Sequence, residues 1–137
     1  MKYPPELENE EPVYHALCFF DHDKGRDLEM MIPLVYYAEK ILNCKVESAF
    51  IWDIYAIYRK QPDFVIIPNT VGSIWNYLVS KYAHQQGIKV FALISEGNFR
   101  TDGSFDYWGY NYDRIFYQEF VCHWSKRTCD FLISELP

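Results

Sequence analysis

Short apolar runs alternate with longer segments of helical periodicity along most of the chain. Five of the runs have the length and composition of β-strands, at 13–20, 45–51, 63–68, 89–94 and 121–124. Periodicity and capping residues predict helices at 26–42, 53–59, 73–86, 114–120 and 125–133. Strands that alternate with helices in this way are typical of βαβ units around a mostly parallel sheet.

The third strand and the helices on either side of it have clear signals. "DFVIIP" at 63–68 is apolar without a break, as expected for a strand covered on both faces. Asp53 is predicted to cap the helix before it and Ser73 the helix after it. The inward face of that later helix is expected to carry Trp75, Leu78, Val79, Tyr82 and Ala83. Since crossovers between parallel strands are right-handed, we expect an α/β fold, namely a three-layer α/β/α Rossmann-like sandwich with a mostly parallel five-stranded sheet.

Length and composition indicate one folded domain behind an acidic tail. A chain of 137 residues suits a single core, and 50% hydrophobic against 23% charged residues is far from the composition of a disordered chain. Residues 1–12 hold four glutamates and three prolines, so we expect a flexible tail there and the domain at 13–137. The net charge of −6 argues against a nucleic-acid partner, because phosphate binding needs clustered lysines and arginines.

Cysteine spacing and hydropathy predict a cytoplasmic protein. The four cysteines form no C-x-x-C motif, and we expect them to be reduced. The N-terminus lacks the basic and apolar regions of a signal peptide. No apolar run approaches the ~18 residues of a membrane span.

Polar residues follow each predicted strand, and in a parallel sheet the loops after the strands all open at one edge. The candidate substrate-binding residues in these loops are Arg26, Asn69, Gly72, Asn98, Arg100 and Trp108. Asn69 and Asn98 can orient hydroxyl groups, while Arg26 and Arg100 can meet a phosphate or an acidic sugar. All of these side chains equally suit solvated loop or helix-capping positions.

The loop after the fourth strand, from Ser95 to about Asn111, is longer than βα connections usually are. Glu96 is the carboxylate that we expect to act as a general base, because the end of a strand beside a helix holds it rigidly. Trp108 and the tyrosines around it suit stacking on a sugar ring. The same aromatic residues also suit filling the space beneath a long surface loop.

No metal site and no cofactor are predicted. Asp21, His22 and Asp23 are consecutive, so their side chains alternate between opposite faces of an extended segment instead of converging on an ion. "TVGS" at 70–73 falls short of the G-x-x-x-x-G-K-[ST] phosphate loop, and no G-x-G-x-x-G motif follows the first strand.

Five segments together resemble a known family. They are "KGRDLEMMIPLVYYAEKILNCKVE", "QPDFVIIPNTVGS", "KYAHQQGIKVFALISEGNF", "WGYNYD" and "HWSKRTCDFL". Over about residues 13–133 the chain resembles the N-terminal half of bacterial surface-carbohydrate (polysaccharide) biosynthesis glycosyltransferases of GT-B architecture. "PDFVIIPN", "ISEGNF" and "WGYN" carry most of the likeness.

The resemblance implies a domain that binds a sugar acceptor and faces a second half that binds a nucleotide-sugar donor. The catalytic base would be Glu96 or, failing that, Asp21, and Arg26, Asn69, Gly72 and Asn98 would line the cleft. Because the chain ends at Pro137 without a donor-binding half, we expect the N-terminal part of a longer protein, catalytically incomplete by itself. Peripheral contact with a membrane is expected only through that full-length protein.

A receiver-like signalling domain is the alternative. The chain resembles such domains in Asp21 and Asp23 after the first strand, Ser95 after the fourth and Lys126 after the fifth. Pro68–Asn69 stands where the phosphoacceptor aspartate is expected. This alternative therefore predicts a degenerate domain that is not phosphorylated.

Overall fold

The computed structural model describes residues 11–22, 25–69, 73–94, 115–123 and 125–135. The strands are β1 (Tyr14–Phe20), β2 (Cys44–Phe50), β3 (Phe64–Ile67), β4 (Lys89–Leu93) and β5 (Phe120–Cys122). The helices are α1 (Arg26–Ile41), α2 (Tyr55–Lys60), α3 (Ile74–Gln85) and α4 (Lys126–Glu135). Within these segments, no helix has both the length and the apolar character needed to cross a membrane.

The five strands form one sheet in the order β2-β1-β3-β4-β5, and every neighbouring pair is parallel. This confirms the predicted Rossmann-like α/β fold. The order is the flavodoxin-like form of the doubly wound sheet rather than the dinucleotide-binding order 3-2-1-4-5-6. From β1 the chain first adds β2 on one side and then crosses over to add β3 on the other side. The carboxyl ends of β1 and β3 therefore border the expected ligand crevice.

Helices cover both faces of the sheet. On one face, α2 and α3 close a core whose buried members are Leu17, Phe19, Ile51, Ala56, Ile57, Val65, Ile67, Val79, Ala83, Val90 and Ala92. On the other face, α1 contributes Met31, which packs with Cys18 and Ile66. The alternation of Val65, Ile66 and Ile67 between the two cores explains why the third strand is apolar throughout.

Helix α1 covers the β1–β2 side of the sheet incompletely. Met31 and Ala38 are buried, but Ile32, in the same helix, and Leu42, just after its end, are 57% and 61% exposed. Strand β2 pairs only with β1 among the described strands, so the outer side of α1 has no further strand to pack against. Pro33 lies inside this helix, and because proline has no N–H group, the carbonyl of Glu29 lacks its usual helical partner.

The prediction of a helix at 114–120 is wrong for residues 115–120, which the structure describes. Residues 115–118 are irregular, and Phe120 is the first residue of β5. The backbone N–H of Glu119 donates to the Val90 carbonyl, while the Glu119 carboxylate accepts from the Val90 N–H at 2.5 Å. Phe120 then stacks on Phe91 with ring centroids 5.3 Å apart. These bonds to β4 hold the segment extended in place of a helix.

The predicted cap of α2 is also wrong. The residue before the helix is Ile54, and no side chain caps it. The Asp53 carboxylate instead accepts a hydrogen bond from Arg59 at 2.5 Å, so an ion pair with the last turn replaces the expected cap.

Helix α3 begins after Ser73 and ends before Gly87, as predicted, but it is rotated relative to the expected orientation. Its buried residues are Asn76, Val79, Ser80 and Ala83, whereas Trp75 is 43% exposed. A polar contact joins this buried face to the segment before β5. Ser80 Oγ accepts a hydrogen bond from Gln118 Nε2 at 3.0 Å and donates to the Asn76 carbonyl at 2.7 Å. The bond accounts for a hydroxyl group on the buried face of α3.

An ionic cluster joins β1, β2 and α2 around Glu47. One carboxylate oxygen accepts from Lys60 Nζ at 2.7 Å, and the other lies 2.7 Å from His15 Nε2 and 3.5 Å from Lys45 Nζ. The hydrogen bond from Lys60 is the main reason that the pKa of Glu47 falls from 4.5 to about 2, against the opposing effect of burial. The ionised carboxylate therefore ties the edge strand to its neighbours.

We predict that replacing Glu47 with glutamine destabilises the protein at neutral pH and changes its acid dependence. Because the pKa is lower in the folded state, the stabilisation is complete above pH 4.5 and is lost as the pH falls toward 2. The difference in unfolding midpoint between the two proteins should shrink across that window, measured by urea unfolding from pH 7 to 2.5. Asp130→Asn, which removes an exposed pair with Lys126, is the control and should have little effect. A constant difference at all pH values would contradict the assignment.

Candidate functional site

The candidate site lies at the carboxyl ends of β1 and β3, where successive strands are added on opposite sides of β1. Asp21 directly follows β1, and Asn69 comes two residues after the end of β3. Asp21 and Asn69 are separated in sequence by the same interval as the paired residues Ala16 and Phe64, so they follow their strands at equivalent positions. Parallel pairing thus places a carboxyl group and a carboxamide on adjacent strand ends.

Asp21 is a partly buried carboxyl group in an unfavourable position for its charge. One of its oxygens is buried without a hydrogen-bond partner among the described residues, and the same holds for one oxygen of Asp27 on the first turn of α1. Burial is the largest cause that raises the pKa of Asp21, and the charge of Asp27 raises it further, whereas His22 lowers it. The fold therefore favours the protonated form of Asp21 more than water does.

A raised pKa suits a carboxyl group for general acid–base chemistry, since a stronger base removes a proton from a hydroxyl group more readily. Perturbed carboxyl groups beside a crevice are typical of functional sites. Among the described residues, no group of three or more histidine, cysteine or acidic side chains lies close enough to hold a metal ion. Proton transfer is the chemistry that the raised pKa of Asp21 supports.

Only some of the predicted site residues lie in the described part of the chain. Asp21 and Asn69 do, and Arg26 is the first residue of α1, at the same edge of the sheet. The remaining predicted site residues lie outside the described residues; they are Gly72, Glu96, Asn98, Arg100 and Trp108. The roles assigned to those five remain predictions from the sequence.

Two polar residues near this edge were not predicted. One is Asp27. The other is Asn76, which is completely buried in the first turn of α3, with both its amide nitrogen and its side-chain oxygen unpartnered among the described residues. Gln118 Oε1 is a third buried atom of this kind, and it belongs to the residue that bonds Ser80. The spacing in the sequence could have predicted this burial. Asn76 and Ser80 are four residues apart, so they share one helix face with the inward-facing Val79.

Buried carboxamides of this type are costly for the fold. Leaving a buried donor or acceptor unpaired costs about 1–3 kcal/mol, and most such atoms in native proteins are paired with protein or water. The Asn76 carboxamide offers one donating and one accepting group, which matches a hydroxyl group or an ordered water molecule. The first turn of α3 therefore adds hydrogen-bonding capacity close to the strand ends.

Comparison with known proteins identifies no relative. No protein-family model, curated protein or solved structure matches this chain. The assignment of a function consequently depends on the residues described above, and the resemblance to glycosyltransferases remains a prediction from the sequence.

We predict that Asp21→Asn makes the protein more stable at pH 7, raising the melting temperature by a few degrees at most. The raised pKa means that the charged carboxylate disfavours folding above that pKa, and this cost disappears as the pH falls below 3.8, where both states are protonated. Thermal unfolding at pH 7 and pH 3.5 measures the effect. Asp53→Asn, which breaks the pair with Arg59, should not stabilise. A lower melting temperature for Asp21→Asn would mean that its carboxylate is a structural partner.

We also predict that Ser80→Ala lowers the free energy of unfolding by about 1–3 kcal/mol, because it leaves the buried Gln118 amide nitrogen without its acceptor. Ser73→Ala is the matched control on the same helix. Ser73 makes no side-chain capping bond, so its loss should cost no more than about 0.5 kcal/mol. Equal effects of the two substitutions in urea unfolding would rule out a special role for the bond between Ser80 and Gln118.

Proposed function

We propose that this chain is the acceptor-binding domain of a cytoplasmic, glycosyltransferase-like protein of bacterial surface polysaccharide biosynthesis. The observation that supports this best is the Asp21 carboxyl group, which has a raised pKa and follows β1, while Asn69 follows the adjacent parallel strand β3. A base and a hydroxyl-binding carboxamide on neighbouring strand ends are what a sugar acceptor requires.

In the proposed reaction, an acceptor hydroxyl binds at the β1–β3 edge with its oxygen oriented by Asn69. Asp21 accepts the hydroxyl proton as the oxygen bonds to the anomeric carbon of the donor sugar, and the bond from that carbon to the nucleotide phosphate breaks. The nucleotide leaves with the electron pair of that bond. The donor is bound by a second domain, so this chain supplies the acceptor side alone. Glu96 is the other candidate for the base.

The order β2-β1-β3-β4-β5 is also the order of receiver domains. The strand order is therefore consistent with the signalling alternative as well. Two described residues argue against it. Asn69 cannot form an acyl phosphate, and Lys126 is 86% exposed and paired with Asp130 of its own helix. Asn69 is at the end of β3 but lacks a carboxylate, and Lys126 is engaged within its own helix, so we favour the sugar-binding proposal.

We predict that the protein binds neutral hexoses, N-acetylhexosamines or hexuronic acids, with backbone amide shifts in nuclear magnetic resonance spectra centred on 20–22 and on Asn69. Asn69→Ala should weaken binding at least fivefold, because it removes the groups that orient the hydroxyl. Asp21→Asn should retain binding and lower transfer by roughly 10²–10⁴-fold when the whole natural reading frame is assayed. Asp53→Asn is the control in both assays.

Two results would contradict the proposal. One is the absence of amide shifts at both strand ends with every sugar tested. The other is a stable phosphoryl adduct, seen by mass measurement after incubation with acetyl phosphate and Mg²⁺, which would indicate an active signalling domain instead of the degenerate one expected from the sequence. Full transfer by Asp21→Asn would shift the role of base to Glu96, and Glu96→Gln would then be expected to abolish it.

A further inference from the structure

An apolar groove of about 480 Å³ lies between α1 and the β1–β2 side of the sheet. Cys18 and Met31 form its buried floor. Its outer lips are exposed, with Ile32 57% and Tyr36 50% accessible. The groove is therefore open to solvent along the side where β2 forms the edge of the described sheet.

The groove is long and narrow rather than round. Along β2 it extends from Val46 to Phe50, which is about 13 Å at the rise of a β-strand. Along α1 it extends from Leu28 to Glu39, about 16 Å at the rise of an α-helix. A volume of this size lies within the 300–1,000 Å³ typical of ligand pockets. Its shape fits an extended aliphatic chain.

The walls are mainly apolar. Most lining residues are aliphatic or aromatic, and Phe50 continues the surface, with its ring tilted against Phe20 at a centroid distance of 4.7 Å and stacked on Trp52 at 4.6 Å. The one thiol in the floor, Cys18, stays protonated because burial raises its pKa to about 12. Ser48 supplies a hydroxyl group at the open side.

The ionisable groups of the groove are acidic. Glu39 and Glu47 line it, but Glu47 lies between Val46 and Ser48 in β2, so its carboxylate is on the opposite face of the sheet, where it binds Lys60 of α2. Glu39 is therefore the available charge, at the end of the helical stripe that begins with Leu28. Lys40 and Lys45, the described basic residues nearest to it in sequence, do not line the groove. The chain as a whole is also negative, at −6, so an anionic head group would be repelled.

We propose that this groove binds the aliphatic chain of an ammonium-bearing amphiphile, with the chain between α1 and β2 and the ammonium group at Glu39. The inference goes beyond the proposed function, because it requires neither a sugar nor Asp21. It depends on three observations together, namely the elongated volume, the apolar lining and the single available carboxylate.

The test is titration of the wild-type protein with decyltrimethylammonium below its micelle concentration, followed by amide shifts at 28–39 and 46–50. Affinity should rise about fourfold for each methylene added between the hexyl and decyl homologues. Decyl sulfate should bind at least tenfold more weakly than the cationic amphiphile. Ser48→Trp, which fills the groove from its exposed side, should weaken binding at least tenfold, whereas Leu42→Trp, outside the groove, should not.

Glu39→Lys keeps the apolar walls and reverses the charge, so it should reverse the preference between the cationic and the anionic amphiphile. This variant decides the proposal even if Ser48→Trp fails to fold. Equal affinity for both head groups in the wild type, or no dependence on chain length, would overturn the proposal. So would a wild-type dimer, measured by analytical ultracentrifugation, that Ser48→Trp dissociates, since a second copy would then be the occupant.

Discussion

The pairing of β1 with both β2 and β3 is the constraint on which the rest of this structure depends. Strand β1 lies between two parallel neighbours and is covered by helices on both faces. Successive side chains point to opposite faces, so Leu17 and Cys18 enter different cores. The same pairing brings the ends of β1 and β3 together at the point where the sheet reverses its winding. The pairing of β1 therefore determines where the core closes and where the polar strand ends meet. It also leaves β2 as an edge of the described sheet.

Polar groups near that reversal are held at a cost to stability. The charge on Asp21 is disfavoured by burial and by Asp27, and Asn76 places a carboxamide with no described partner inside a core of aliphatic side chains. Elsewhere the fold pairs its charges, as Glu47 shows with Lys60 and His15. Unsatisfied groups near the strand ends are expected where function opposes stability; Gln118 Oε1, which precedes β5, is also buried without a described partner.

The two faces of the sheet differ in how completely they are covered. Helices α2 and α3 close one core with aliphatic contacts. On the opposite face, α1 spans two strands and leaves the apolar groove between itself and β2. The exposed aromatic residues Phe50 and Trp52 continue that surface toward the carboxyl edge. Apolar area of this extent remains exposed in a monomer mainly where something binds, so the molecule offers two separate regions with different chemistry.

The sequence alone determined the strands, the boundaries of α1 and α3 and the parallel α/β class, because these follow from local periodicity and from the handedness of crossovers. Only the tertiary structure showed that the buried face of α3 includes Asn76 and Ser80, because Ser80 bonds to Gln118, which is 38 residues away. It also decided that the residues before β5 are extended, through the bonds between Val90 and Glu119. The same limit applied to the site. Asp21 and Asn69 could be named from their positions after strands, but the raised pKa of Asp21, its repulsion by Asp27 and the buried amide of Asn76 arise from burial and neighbours that no single segment specifies.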